Sequence, residues 1–201
     1  MRAVQGKGEG FIVRQFWRVR GVFTTRKVAL MGLFVAMTAV LAPVLNIYLT
    51  PQHRLFSFVY LPGAVAAMLF GPVAGLAVGF AGDFMTFLFT PGITVYFPGF
   101  ALSAMLTNLV YAAFLYRPPP NPARPNRELI FRILLAQAVV LVSVNLGLNM
   151  LWLNIMYGQT AGEMFAGYRV ALKLAQFPVD VGLLFGLKVI LRRVPPSLLE
   201  D

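Results

Sequence analysis

Apolar residues run through most of this chain in long stretches, which short polar or proline-rich segments separate. A helix of about 20 apolar residues crosses the hydrocarbon core of a bilayer. Six apolar stretches can be drawn, at about 28–49, 56–70, 73–89, 100–116, 128–157 and 168–191. The second and third stretches are short, and the turn signal Gly71-Pro72 joins them as a hairpin. The pattern predicts an all-α membrane protein, a bundle of six transmembrane helices.

Basic residues set the expected orientation of this bundle. They concentrate in the N-terminal segment, in the proline-rich linker after the fourth stretch and directly after the sixth stretch. Because Lys and Arg accumulate on the cytoplasmic side of a membrane, both termini are predicted to be cytoplasmic. We divide the chain into a basic cytoplasmic or interfacial segment (1–26), a membrane domain (27–193) and a short cytoplasmic tail (194–201).

Composition supports the membrane assignment and excludes several kinds of site. The chain is 59% hydrophobic and only 12% charged, whereas a soluble domain is about 25% charged. The net charge of +10 is explained by the basic flanks of the apolar stretches rather than by nucleic-acid binding. Cysteine is absent and His53 is the one histidine, so we expect no disulfide, no metal centre built by this chain alone and no cofactor.

One carboxylate, Asp83, lies inside the third apolar stretch. It continues a row in which Gly71, Gly75 and Gly79 recur every four residues, and on a helix that row forms one face. Charged residues within a membrane usually face the bundle interior or a water-filled cavity. The pattern leaves two roles open for Asp83, which are pairing with a neighbouring helix residue such as Lys173 and contact with a substrate.

Two later helices are predicted to carry polar stripes. The stripes are Gln137, Leu141, Asn145, Asn149 and Trp152 in the fifth stretch, and Arg169, Lys173, Gln176 and Asp180 in the sixth. Amides and charges at such depth join helices or bind something polar. Both stripes are therefore expected to face the interior of the bundle.

Cations, aromatic rings and amides placed toward the outer half indicate a ligand that combines a flat ring with an acidic group. Arginine matches a carboxylate, and aromatic faces suit a flat heterocycle. The candidate substrate-binding residues are Arg54, Phe58, Tyr60, Asp83, Tyr96, Phe97, Asn149, Trp152, Arg169 and Lys173. The aromatic loop 90–99 can serve as a lid or as an interfacial belt.

Enzymatic activity is not expected, and no catalytic residue is assigned. The chain has no histidine–carboxylate pair in a span and no phosphate-cradling loop. The alternative from another class is a small membrane enzyme or scaffold that uses the polar interior of Asp83, Lys173 and Asp180.

A series of short segments, taken in order, resembles the substrate-binding S component of energy-coupling factor (ECF) vitamin transporters, the folate-type branch in particular. The segments are Arg54–Pro62, Met68–Pro72, Gly79–Asp83, Tyr96–Ala104, Leu148–Leu153 with Tyr157-Gly158, and Tyr168–Val170 with Lys173. The resemblance covers residues from about 27 to 193. The family often has a basic residue where this chain has Thr107-Asn108, so another vitamin or precursor, such as pantothenate or a queuosine precursor, stays open.

The resemblance implies a six-helix vitamin-binding subunit of an ATP-driven importer in the bacterial cytoplasmic membrane. Such a subunit binds its vitamin, here most simply folate, near the extracellular side. Its implied partners are a membrane scaffold (T) subunit and two ATPase subunits. The scaffold is met through a small-residue motif on the first helix, for which Gly32 and Ala36 are the nearest match.

Overall fold

A computed structural model describes residues 23–50, 53–89, 95–116, 126–158 and 167–191. Its elements are α1 (Thr25–Leu45), β1 (Asn46–Thr50), β2 (His53–Ser57), α2 (Leu61–Phe70), α3 (Pro72–Phe89), α4 (Pro98–Leu115), α5 (126–157) and α6 (Gly167–Leu191). Helix α5 is continuous, and π-helical geometry from Val140 to Leu148 separates its two α-helical segments.

Five of these helices, α1, α3, α4, α5 and α6, are long and apolar enough to cross a membrane. Helix α2 is apolar but has ten residues, so it extends only about 15 Å, half of a hydrocarbon core. The described part of the chain is therefore an α-helical membrane protein, with most predicted helix bounds met within a few residues.

The region between α1 and α2 corrects the prediction. The apolar stretches predict helix up to Leu49 and from Phe56 onward. The first helix instead ends at Leu45, and β1 and β2 pair antiparallel, with Asn46 opposite Ser57. Hydropathy could not find this hairpin, because a short apolar run reads alike as helix or strand. Residues 1–22, which hold most of the predicted interfacial segment, lie outside the described residues.

Helix α3 is the centre of one half of the bundle and packs against α1, α2 and α4. A first core joins α1, α2 and α3 through Met31, Ala66, Phe70, Ala74 and Val78. The second core joins α2, α4, α5 and α6, and its buried residues include Met68, Tyr111, Leu115, Ile133 and Leu184. Helix α5 lies between α4 and α6 and contacts both.

The glycines of α3 lie at close helix contacts, and the helix that Gly79 faces is α4. A Cβ atom added to Gly79 would come within 3.0 Å of the Ala104 carbonyl oxygen and of the Met105 Cα atom. The buried Asn108 side chain of α4 lies beside this row, and its Nδ2 donates to the Gly75 carbonyl at 3.2 Å. Small residues here let two backbones approach closely, which is the main source of helix association in a bilayer.

Lys188 of α6 stabilises the C-terminal end of α4. Its Nζ donates to the Leu115 carbonyl at 2.6 Å, where a helix leaves its last carbonyls without partners. We expect Lys188→Met to lower the free energy of unfolding by about 1 kcal/mol. Denaturant titration in detergent tests this against Lys27→Met near the start of α1, and equal stability of the two variants would contradict the capping role.

Candidate functional site

A cavity of about 130 Å³ lies where α4, α5 and α6 meet the residue that precedes α2. We call it the chamber. Its lining residues are mostly polar and comprise Tyr60, Thr107, Tyr111, Gln137, Val140, Leu141, Asn145, Lys173, Gln176 and Asp180. The cavity is several times larger than the space that one water needs. Polar side chains from separate helices therefore converge on one cavity. They include residues of both polar stripes, which were predicted to face the interior of the bundle.

Asp180 is the acceptor at the centre of the chamber. One carboxylate oxygen, Oδ1, accepts from the Tyr60 hydroxyl at 2.8 Å and from Gln176 Nε2 at 3.3 Å. The other oxygen, Oδ2, accepts from Gln137 Nε2 at 2.9 Å. Only 5% of Asp180 is exposed. Such donors are needed, because an ionised carboxylate in an apolar interior is costly without them.

The network extends from Asp180 in two directions. The buried Tyr111 hydroxyl donates to Gln137 Oε1 at 2.8 Å, and the Tyr60 and Tyr111 rings lie 5.8 Å apart. Lys173 Nζ donates to Gln176 Oε1 at 3.4 Å, and its charge acts favourably on Asp180. Three helices, α4, α5 and α6, and Tyr60 before α2 thus share one polar network, which fixes the side chains that line the chamber.

An aromatic cluster forms where the loop before α4 meets the end of α5. Trp152 Nε1 donates to Ser103 Oγ at 3.1 Å, and the Phe97 ring lies 5.6 Å from the Trp152 ring. Gly99 is buried beneath both rings, and a Cβ atom there would lie 2.7 Å from Trp152 Cδ2. The Ser103 carbonyl also accepts from the Thr107 hydroxyl at 2.8 Å, which connects this cluster to the chamber lining.

Tyr96 lies at the C-terminal end of α3. Its ring contacts Phe84 and Phe87, with centroids 5.5 and 5.2 Å apart. Its hydroxyl is buried and has no hydrogen-bond partner among the described residues. Burial raises the pKa of this hydroxyl, and the nearby Asp83 carboxylate raises the pKa further. Tyr96 therefore stays neutral and offers a hydroxyl donor at neutral pH.

The π-helical segment of α5 leads directly to Asn149. The Asn149 backbone N–H bonds to the Val144 carbonyl, five residues back, and Asn149 Nδ2 donates to Asn145 Oδ1 at 3.5 Å. In the described part of the chain the buried Asn149 Oδ1 has no hydrogen-bond partner. Short π-helical segments are frequent at functional sites. Here the segment brings an unused acceptor next to a residue of the chamber lining.

The predicted site residues fall into groups. Tyr60 and Lys173 line the chamber, and Asn149 adjoins it through Asn145. Phe97 and Trp152 form the aromatic cluster, while Asp83 lies close to Tyr96.

Three further predicted site residues, Phe58, Arg54 and Arg169, lie outside the chamber lining and the aromatic cluster. Phe58 is half-buried, and its carbonyl accepts from the Leu61 N–H at the start of α2. Arg54 lies in β2, which contacts α6, and Arg169 lies in the first turn of α6. The orientations of the Arg54 and Arg169 side chains lie outside the description.

Sequence reasoning missed the contribution of α4. Ser103, Thr107 and Tyr111 recur every four residues along α4, which is a signal that they share a face. Gln137, Gln176 and Asp180 were recognised as stripe residues but were not selected for the site. Because the hydrogen bonds from Tyr60 and Gln137 reach Asp180 from other elements, its central position follows only from the packing of the helices.

Trp152→Phe tests the link between the aromatic cluster and α4. The phenyl ring keeps most of the contact with Phe97 but removes the N–H that donates to Ser103. We expect the free energy of unfolding to fall by about 1 kcal/mol. Denaturant titration measures this loss, with Trp17→Phe as the control for loss of an indole elsewhere, and an unchanged midpoint would contradict the structural role of the N–H.

The sequence of this chain is similar to those of known proteins. Residues 26–187 match the family described as "ECF transporter, substrate-specific component". "Folate transporter FolT" from Clostridium novyi (strain NT) is 31% identical over 137 residues, which cover 68% of this chain and 73% of the relative. "Folate transporter FolT" from Leuconostoc mesenteroides subsp. mesenteroides is 26% identical over 165 residues, with 79% and 82% covered.

A solved structure is also similar over most of its length. It is titled "Crystal structure of FolT bound with folic acid", and it matches with a TM-score of 0.71 and 29% identity over 84% of this chain and 98% of its own. The matched family consists of transporter components and not of enzymes. The described helices and the family match together establish that this chain is a membrane protein that belongs to the substrate-specific components of ECF transporters.

Proposed function

We propose that this chain captures folate at the extracellular side of the membrane for ATP-driven uptake. The observation that carries the proposal is the polar chamber with its adjoining aromatic cluster, in a chain that resembles a folate-bound FolT over 84% of its length. Folate combines a flat heterocycle with an acidic glutamate tail. Aromatic faces, amides and cations are the groups that bind those two parts.

The proposed ligand contacts are the residues selected from the sequence. Phe97 and Trp152 offer aromatic faces, Tyr96 offers a hydroxyl donor, and Asn149 offers a carbonyl acceptor. The full proposed set is Arg54, Phe58, Tyr60, Asp83, Tyr96, Phe97, Asn149, Trp152, Arg169 and Lys173. Arg54 and Arg169 are assigned to the carboxylates of the tail, since arginine binds a carboxylate through two parallel hydrogen bonds.

The proposed membrane arrangement keeps six crossings. Helix α2 together with the chain that precedes it makes the second crossing, which supplements the five longer helices. Residues 27–193 form the membrane domain, while 1–26 and 194–201 lie on the cytoplasmic side with both termini. The bacterial cytoplasmic membrane is the proposed location, and the distribution of basic residues supports this orientation.

The proposed partners are a T scaffold subunit and two ATPase subunits. The exposed face of α1 supports the first of these, because it carries Gly32 and Ala36 together with the apolar Leu33, Met37 and Val40. A Cβ atom added to Gly32 would meet no atom within 4 Å. Such a face permits close approach by another helix.

The identity of the small molecule that stays bound through purification tests this proposal. The chain is purified from cells, and bound molecules are extracted and identified by mass spectrometry. We expect folate or a reduced folate. Added folic acid should displace the bound molecule, whereas added pantothenate or queuosine precursor should not. Recovery of pantothenate or a queuosine precursor, with no displacement by folic acid, would contradict the folate assignment.

A further inference from the structure

The exposed side of α5 carries a hydroxyl in the middle of the helix. Away from the helix ends, Ser143 is the one exposed serine or threonine in the described spanning helices. Its Oγ donates to the Val139 carbonyl, four residues back, at 2.5 Å. An unpaired hydroxyl in hydrocarbon is costly, so this bond explains how Ser143 is tolerated. It does not explain why a serine rather than an apolar residue stands there.

The bond from Ser143 ends directly before the change in helix geometry. The π-helical segment begins at Val140, the residue after Val139. A serine hydroxyl that donates four residues back competes with the backbone N–H for the same carbonyl, which weakens the ordinary α-helical bond. Gly147, four residues after Ser143, is also exposed, and glycine is a weak helix former. Two exposed residues thus favour a departure from α-helical geometry.

This departure corrects a drift in the polar stripe of α5. Gln137 and Asn149 are three steps of four residues apart, and each step exceeds one α-helical turn by about 40°. Asn149 would therefore lie about 120° away from the face of Gln137 on an uninterrupted α-helix. A π-helical turn takes in an additional residue, and here the Asn149 N–H bonds to the Val144 carbonyl five residues back. The wider turn brings the two amides back toward one face.

Both ends of α5 consequently direct polar groups inward. Gln137 is buried and donates to Asp180, while Trp152 Nε1 donates to Ser103 Oγ. Leu151, directly before Trp152, is 48% exposed. Without the additional residue in the π-helical turn, the residues that follow would be rotated by about 100°, the angle of one residue. Leu151 would then point inward in place of Trp152.

We propose that Ser143 is a positioning residue for ligand binding. Its bond to the Val139 carbonyl holds α5 in π-helical geometry, and that geometry directs Asn149 and Trp152 toward the ligand. Ser143 acts through these residues and touches no ligand itself, because it lies on the exposed side of α5. This inference rests on the proposed function, in which Asn149 and Trp152 are ligand contacts.

The first test separates positioning from stability. Ser143→Ala removes the hydroxyl and introduces a strong helix former, so the free energy of unfolding should stay the same or rise. Folic acid affinity, measured by titration calorimetry on the full chain in nanodiscs, should nevertheless fall about tenfold, the effect of losing one good hydrogen bond. Ser143→Thr keeps the bond to the Val139 carbonyl and should keep the affinity.

The second test needs no ligand. The chain has two tryptophans, and Trp17→Phe leaves Trp152 as the single fluorescent indole. In this background we expect Ser143→Ala to shift the emission maximum of Trp152, because the indole leaves its hydrogen bond to Ser103. Ser143→Thr should keep the emission of the unchanged chain.

Two further variants sharpen both tests. Thr38→Val is the matched control, because it removes the same kind of bond, from Thr38 Oγ1 to the Phe34 carbonyl, on α1. It should change neither the folic acid affinity nor the Trp152 emission. Gly147→Ala favours α-helical geometry by a second route, and its Cβ atom would meet one carbonyl oxygen at 3.4 Å. We expect it to shift the emission in the same direction as Ser143→Ala.

The outcomes distinguish this inference from the proposed function. Unchanged affinity and unchanged Trp152 emission in Ser143→Ala would overturn the positioning role. So would a loss of stability or of folding in Ser143→Ala, since a merely structural bond predicts that loss. If the wild type does not bind folic acid, the proposed function fails, while the emission of Trp152 still decides whether Ser143 sets the geometry of α5.

Discussion

Gly79→Leu is expected to lower the free energy of unfolding by about 3 kcal/mol or more and to sharply reduce the amount of folded protein recovered. The reason is that the position of the new Cβ lies within 3.0 Å of backbone atoms of α4, at Ala104 and Met105. Backbone cannot rotate away as a side chain can, so α3 and α4 must separate. Denaturant titration in detergent and recovery after size-exclusion chromatography measure the effect.

Gly32→Leu is the matched control, since it makes the same substitution on another apolar helix where no atom lies within 4 Å of the new Cβ. We expect this variant to fold and to bind folic acid like the wild type. Wild-type stability of Gly79→Leu would contradict the close contact of α3 and α4. Unfolding of both variants would indicate that leucine is not tolerated at either glycine for some other reason.

Arg169→Ala is expected to weaken folic acid binding by roughly 2–5 kcal/mol, if the proposed pairing with a buried ligand carboxylate holds. Arg169 lies in the first turn of α6, one helical turn before Lys173 of the chamber lining. Its removal would leave the carboxylate without a partner. Titration calorimetry with folic acid measures the change in affinity.

Arg132→Ala is the control for loss of an arginine, because Arg132 pairs with Glu128 at 2.7 Å on a half-exposed part of α5. This control should change folic acid affinity little, as exposed ion pairs contribute about 0–1 kcal/mol. An unchanged affinity of Arg169→Ala would mean that its side chain only extends to the membrane surface.

The positions of the helices, and the fact that their polar faces point into the bundle, could be predicted from the sequence. Long apolar runs predict spanning helices, and the four-residue spacing of Gly75 and Gly79 places both glycines on one helix face, although it does not say that α4 packs there. Gln176 and Asp180 are buried and Lys173 lines the chamber, as the stripe on the sixth helix predicted.

Pairings between distant residues could not be predicted. The hydrogen bond from Tyr60 to Asp180 joins residues 120 apart in the chain, and no local pattern records it. The hairpin of β1 and β2 was missed because its apolar residues suit a helix equally well. The π-helical segment at Val140–Leu148 was missed because it contains no proline, and its one glycine, Gly147, is tolerated inside an ordinary helix.

The measurement that tests the central claim most directly is the equilibrium affinity of the purified chain alone for folic acid. Titration calorimetry in nanodiscs gives it without any partner subunit. The account predicts a dissociation constant well below a micromolar, as expected when one site binds both ends of a ligand. Micromolar or weaker binding of folic acid and of every reduced folate would contradict it.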